Sequence, residues 1–186
     1  MLKIILHDPR PIAPFNEPAR DLRIQNKPLW LNQRDVLTPY TDREIEVPLG
    51  SPLPQVREAC LVYRDNLYFD EFYIRAFLEE ARRRKHPIRA AFTLEDPAFR
   101  EHALPLSVTY TRQGDLYLAD LWYYPNGPDP DAEPEPVVID LQAREIGYYH
   151  VPTYMATEKG DLVFQVPLRA LIAIDSWVHI FIADIV

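Results

Sequence analysis

"LVYRDNLYFDEFYIRAFLEEARRRKHPIRAAF", residues 61–92, decides the fold. Extended back to "ACLVYR" (59–64), it opens on an apolar, β-rich run with the profile of a central strand. From Asp70 to about Lys85 the pattern changes period. Phe69, Phe72, Tyr73, Ala76, Phe77 and Ala81 recur at spacings of three and four, which lays one apolar stripe along a helix. Asp70 and Glu71 stand at its start and Arg82-Arg83-Arg84-Lys85 at its end, the order that suits the helix dipole. The basic run therefore reads as a helix terminus rather than an anion site. "HPIRAAF" (86–92) then returns as a strand, completing a strand–helix–strand unit of the kind that builds parallel sheets.

Working outward, "LKIILH" (2–7) reads as a short buried first strand. Nine prolines fall between Pro9 and Pro54, so residues 8–59 read as an irregular wrap with one short helix near Leu31–Leu37. On the other side, "SVTYTRQGDLYLADLWYY" (107–124) reads as a hairpin turning at Gln113-Gly114, where glycine takes the left-handed conformation. A polar, Pro-rich loop (126–136) separates it from "VVIDL". The expected class is α/β: a Rossmann-like mixed sheet flanked by helices, with an antiparallel hairpin. The chain divides into a domain over 1–167 and an apolar helical segment over 168–186. Because "LRALIAIDSWVHIFIADIV" stays apolar to its last residue, that segment is expected to lead into a further domain or to dock on a partner.

Composition sets limits on function. The chain of 186 residues carries a net charge of −8, which argues against a nucleic-acid binder, whose affinity would come from Lys and Arg. A single cysteine, Cys60, excludes an internal disulfide and a Cys-rich zinc site; inside "CLVY" it reads as a buried strand residue. No apolar stretch reaches the roughly 18 residues that span a membrane, and "MLKIILHDP" turns polar too soon for a signal peptide, so a cytoplasmic protein is expected.

Several motifs, taken in order, carry a resemblance. They are "NKPLW" (26–30), Arg64-Asp65-Asn66 after the central strand, Asp96-Pro97 in "EDPAFREH", and the hairpin that follows. Over residues 1–125 the chain resembles sugar-1-phosphate nucleotidyltransferases (NDP-sugar pyrophosphorylases). "PFNEPARDLRI" (14–24) is similar to the branch fused to a left-handed β-helix, hexapeptide-repeat acyltransferase. The resemblance implies a nucleotide or sugar-phosphate ligand, Mg²⁺ as cofactor if the domain is active, and an acyltransferase-like domain as partner. It puts Asp65 on the family's metal-binding aspartate, with Arg64 in place of a glycine, and Lys27 on its phosphate-contacting lysine. Arg20 and Arg23 are further candidates for phosphate, through paired guanidinium donors. Each residue has a plainer reading: Asp65 as a cap before the helix, Arg20 and Arg23 as ion-pair partners, and Lys27 as a solvated side chain.

The family also places a glycine-rich loop after its first strand, so that backbone N–H groups cradle the triphosphate. Here that position holds "HDPRPIAPFNEPAR" (7–20), with four prolines and no glycine before Gly50. The expectation is a surviving fold with degenerate or altered catalysis; the alternative is a non-catalytic interaction module. A metal hydrolase built on His7, Asp8, His102, Asp120, Asp140 and His150 lacks any recognisable ligand spacing. Ser51, Ser107 and Ser176 lack the context of a triad nucleophile. Aromatic residues in "LYLADLWYYP" and "IGYYHVPTY" are candidates either for stacking on a base or sugar or for the core.

Overall fold

The structure is a computed structural model and describes residues 1–150, Tyr154 and 161–186, with backbone alone for 146–150 and 161–164. Strand β1 (Leu2–His7) leads into two small ribbons, β2 (Pro11–Ile12) with β3 (Glu17–Pro18), and β4 (Arg23–Ile24) with β5 (Lys27–Pro28). Helix α1 (Leu29–Leu37) and strand β6 (Arg43–Pro48) follow. Next come β7 (Cys60–Arg64), β8 (Leu67–Phe69), α2 (Glu71–Arg84) and β9 (Ile88–Phe92), then the hairpin β10 (Thr111–Gln113) and β11 (Leu116–Tyr124). The chain closes with β12 (Glu135–Val138), the pair β13 (Arg144–His150) and β14 (Asp161–Val166), β15 (Leu171–Ala173) and α3 (Trp177–Ile185).

The main sheet runs β12-β9-β11-β7-β1-β6, with β10 on β11. It is mixed: β1 pairs parallel with β6 and β7, β12 parallel with β9, and β11 antiparallel with both β7 and β9. β7 and β9, which precede and follow α2, are therefore parallel but not adjacent. The hairpin arm β11 lies between them, since its own alternation supplies Ala119 and Leu121 to the helix-covered face.

Alternation also divides the core. Leu61 and Tyr63 of β7 join Ile88, Ala90 and Phe92 of β9 under α2. Leu2, Ile4, Leu6, Cys60, Val62 and Tyr124 form a second cluster on the opposite face. That face is roofed by Leu53 and Val56 of the irregular segment rather than by a helix. Gly127 fixes the roof: a Cβ there would collide with the Val56 carbonyl, and its φ is +90°.

Helix α2 buries Tyr73, Ile74, Phe77, Leu78 and Ala81, each large side chain contributing roughly 1.5–3 kcal/mol. The buried stripe is turned slightly from the expected one. Phe72 stays outside, its ring under the Arg75 guanidinium at 5.1 Å. The basic run ends the helix as expected, with Arg83 and Arg84 both on Glu80. Cys60 is fully buried, and burial pushes its thiol up to about 12. Segment 168–186, expected to be helical, instead starts as strand β15, paired antiparallel with β8. "LIA" is short and apolar, and Asp175-Ser176 interrupts the run before α3 begins. With Ala170 through Ile174 buried, this segment is part of the domain's own core. No helix among the described residues is long and apolar enough to cross a membrane.

Candidate functional site

β1 and β7 are parallel neighbours in the register Leu6↔Arg64, so their carboxyl ends bring His7-Asp8 beside Arg64-Asp65-Asn66. In open α/β sheets ligands gather at this edge. Successive residues point to opposite faces, and two separate groups result.

On the helix-covered face, Asp65 is 1% exposed. Its Oδ2 lies 2.7 Å from His7 Nδ1 and accepts from Arg20 Nη1 at 3.3 Å, while Oδ1 accepts the Asp8 N–H at 2.9 Å. Burial pushes the Asp65 carboxyl up, against the lowering effect of His7, the Asp8 amide and Arg20. Gln33 of α1 donates to the Asp65 and Leu67 carbonyls at 3.0 and 2.7 Å, which holds the turn after β7 against the helix. Between α1 and edge strand β6 lies a cavity of about 120 Å³, lined in part by Lys3, Arg20, Trp30, Arg34, Glu46 and Asp65.

On the other face, Arg64 donates to Asp8 Oδ2 at 2.8 Å and to Asp120 Oδ2 at 3.2 Å. Arg89 meets the second oxygen of Asp120 at 2.8 Å and stacks on Trp122 at 4.7 Å. Arg10 bridges Asp8 (3.0 Å) and Asp175 (2.8 Å) over the sheet edge. Asp175 also accepts from Ser107, Thr109, Asn66 and the Val108 N–H. Burial alone would raise Asp8 and Asp175, but these donors outweigh it, and both carboxyls are held below their ordinary value. The Asp175 N–H donates to His179 Nδ1 at 3.1 Å, so Nε2 carries the ring proton and donates to the Pro105 carbonyl at 2.7 Å. His179 is fully buried, which lowers its pKa.

The structure brings Arg20 to Asp65. It does not bring Arg23 or Lys27 there. Both belong to the β4–β5 ribbon, whose turn is fastened to the end of α3 through Gln25 N–H to Asp184 at 2.6 Å. Arg23 is exposed, and Lys27 pairs with Asp35 at 3.0 Å. Asp65 is a poor seat for a resident Mg²⁺, because both its oxygens accept from the chain's own donors and a cation would have to displace Arg20 and His7. Among the described residues no group of three His, Cys, Asp or Glu is arranged to hold a metal. The hydrolase candidates have other partners: Asp120 its arginines, His102 the Gln165 N–H, and Asp140 the Gln142 N–H. The side chain of His150 lies outside the described residues, as do those of "IGYYHVPTY" apart from exposed Tyr154. In "LYLADLWYYP" the aromatics are packed: Tyr124 is buried and Trp122 lies under Arg89.

Sequence reasoning missed Arg10, Arg89, Thr109, Asp175 and His179. Asp175 does carry a signal: a lone acid inside "LIAIDSWVHI" must find partners if that run is buried.

The fold and its edge define a mixed α/β domain with an ionic sheet edge lined by Arg and Asp. No protein-family model matches the chain, and no curated protein matches it. Among solved structures it is similar to a Bacillus anthracis protein that carries the name glucose-1-phosphate thymidylyltransferase, solved with a sucrose. Identity there is 11%, with 67% of this chain and 70% of the other covered and a TM-score of 0.44. It is also similar to HddC from Yersinia pseudotuberculosis, solved with GMP-PN, at 11% identity, 98% and 97% coverage and a TM-score of 0.46. Likeness at this level carries no conclusion about chemistry.

Proposed function

We propose that the chain is a nucleotidyltransferase-like domain of sugar-nucleotide metabolism in which the triphosphate cradle is not formed. The ordered motifs from Lys27 to the β10–β11 hairpin support the class, and one observation carries the missing cradle. In the loop after β1, the Asp8 amide is spent on Asp65 and the Arg10 amide on Asp8, while Pro9, Pro11 and Pro14 have no N–H to give. Donors that are absent or already engaged inside the protein do not wrap a phosphate chain. On this reading any Mg²⁺ would enter with a nucleotide rather than reside at Asp65, and the expected ligand is a nucleotide or sugar phosphate held weakly.

Calorimetric titration with ATP, GTP, CTP, UTP and dTTP in the presence of Mg²⁺ tests the reading. No binding at micromolar concentration and no pyrophosphate release with sugar 1-phosphates are expected; micromolar binding with turnover would sink it.

A second reading, a non-catalytic module beside an acyltransferase-like domain or a second copy, is favoured by α3. Trp177, Phe181 and Ile185 stand at i, i+4 and i+8 and are all exposed, an apolar stripe on a chain of net charge −8.

A further inference from the structure

The outer face of α3 has the spacing of a contact with its own copy. Trp177, Phe181 and Ile185 are 56%, 57% and 45% exposed, and Trp177 and Ile185 each lie four residues from Phe181. In an isologous contact residue i meets j and j meets i. Two α3 helices laid antiparallel about an axis through Phe181 therefore put Phe181 on Phe181, and Trp177 on Ile185 at both ends. The Trp177 ring then has a seat. Beside Phe181 and Ile185 lies an apolar depression of about 40 Å³, lined in part by Pro167, Ile182 and Val186. A bulky side chain at one end of the stripe and a hollow at the other make a knob and its hole.

Charge and area also favour a second copy as the occupant. The chain carries −8, so two copies approach best across a surface free of ionised groups. Helix α3 supplies one: it has no Lys or Arg, His179 is buried beneath it, and Asp184 is engaged by the Gln25 N–H. The same lack of cations removes what would hold an anionic lipid surface. Loop 105–108 is fastened to the start of α3, because His179 donates to the Pro105 carbonyl and the Val108 N–H donates to Asp175. It sets exposed Leu106 and Val108 beside the helix. These five side chains offer on the order of 500 Å² of surface per copy, against roughly 800 Å² per partner, polar rim included, in a standard interface.

We propose that α3 is a self-association face, on which two copies of the chain pack antiparallel about a two-fold axis through Phe181. This rests on the second reading above, commits it to a second copy, and does not depend on nucleotide binding.

The test uses the whole chain. Sedimentation velocity is expected to find a dimer at high micromolar concentration that dissociates on dilution. Phe181→Glu, a change at an exposed position, sets a charge against its own copy and should raise the dimer dissociation constant at least 10-fold. Phe181→Lys should do the same, and mixing the two variants should restore a dimer, because a residue on the axis meets its own counterpart. Under mild oxidation Phe181→Cys should form an intermolecular disulfide. Trp177→Cys should not link to itself, since its counterpart lies eight residues away along the helix, roughly 12 Å. Cys60 is fully buried and does not compete. A monomer at every concentration, or a dimer that Phe181→Glu leaves unchanged, would overturn the proposal and leave α3 to an unlike partner. Self-linkage of Trp177→Cys, or no restoration on mixing, would overturn the antiparallel pairing. The calorimetric titration decides the nucleotide reading separately.

Discussion

Arg64 lies between Asp8 and Asp120 with little exposure, in the position where the resembled family carries glycine. Its guanidinium neutralises two carboxylates that the sheet has taken out of water. Arg10 still meets Asp8 and Arg89 still meets Asp120, so Arg64→Met removes charge-assisted hydrogen bonds without leaving a carboxylate unpaired, and should destabilise the fold by about 1.5–3 kcal/mol, read as a lower urea midpoint with unchanged slope. A change under 1 kcal/mol would mean that water already reaches Asp8. Cys60 offers an independent check at the same scale. Its thiol, pushed up to about 12 and sealed from solvent, should not react with iodoacetamide until the chain unfolds.

Helix α2 is set by its two ends. Asp70 caps it by accepting the Tyr73 N–H at 2.7 Å and with its other oxygen accepts the Ala170 N–H at 2.9 Å, so one side chain starts the helix and fastens the strand β15 region. Asp70→Ala loses about 1 kcal/mol as a cap and a further 1–3 kcal/mol from the stranded Ala170 amide. Chemical denaturation should show the sum, and hydrogen exchange should show early opening of residues 170–174. The other end holds a residue under strain. Lys85 closes the helix at φ +62°, a conformation that costs an L side chain but not glycine. Lys85→Gly is expected to stabilise the protein by about 0.5–1 kcal/mol, and a loss of stability would show that the Lys85 side chain contributes more than its backbone costs.

Across the whole molecule, the ion network makes stability depend on pH. Asp8 and Asp175 are held below their ordinary value, so below about 3.9 the unfolded chain binds protons that the native state refuses, and stability falls as pH drops through their folded pKa values. Asp65 and Asp70, raised by burial, act in the opposite direction: stability falls as pH rises above about 3.9 through their folded pKa values. His179 is a base held down by burial. As pH falls below about 6.5 the unfolded ring protonates and the native ring does not, so stability is lost from there down to its folded pKa. In urea titrations the difference between wild type and His179→Gln should grow as pH rises from 5 to about 6.5 and then level off. A flat difference would show that His179 does not titrate as a buried neutral ring. Because His179 holds the Asp175 amide, and Asp175 holds Arg10 and Asn66, acid should loosen α3 and the charged sheet edge together.

Much of the fold was legible in the sequence wherever one element is decided by its own residues. The period of 69–81 gave α2, the apolar runs gave β1, β7 and β9, and Gly114 marked the β10–β11 turn. The pairing of Arg20 with Asp65 was within reach because both were already candidates for one ligand. The sheet order was not legible, since nothing local says that β11 enters between β7 and β9. Nor was the His7–Asp65 pair, the Arg64 clamp or the latch at Asp175, because each joins residues many positions apart in sequence. Propensity and periodicity act over a few residues and so specify elements. Which charges share a buried edge depends on the register between strands, and only packing of the complete chain fixes that.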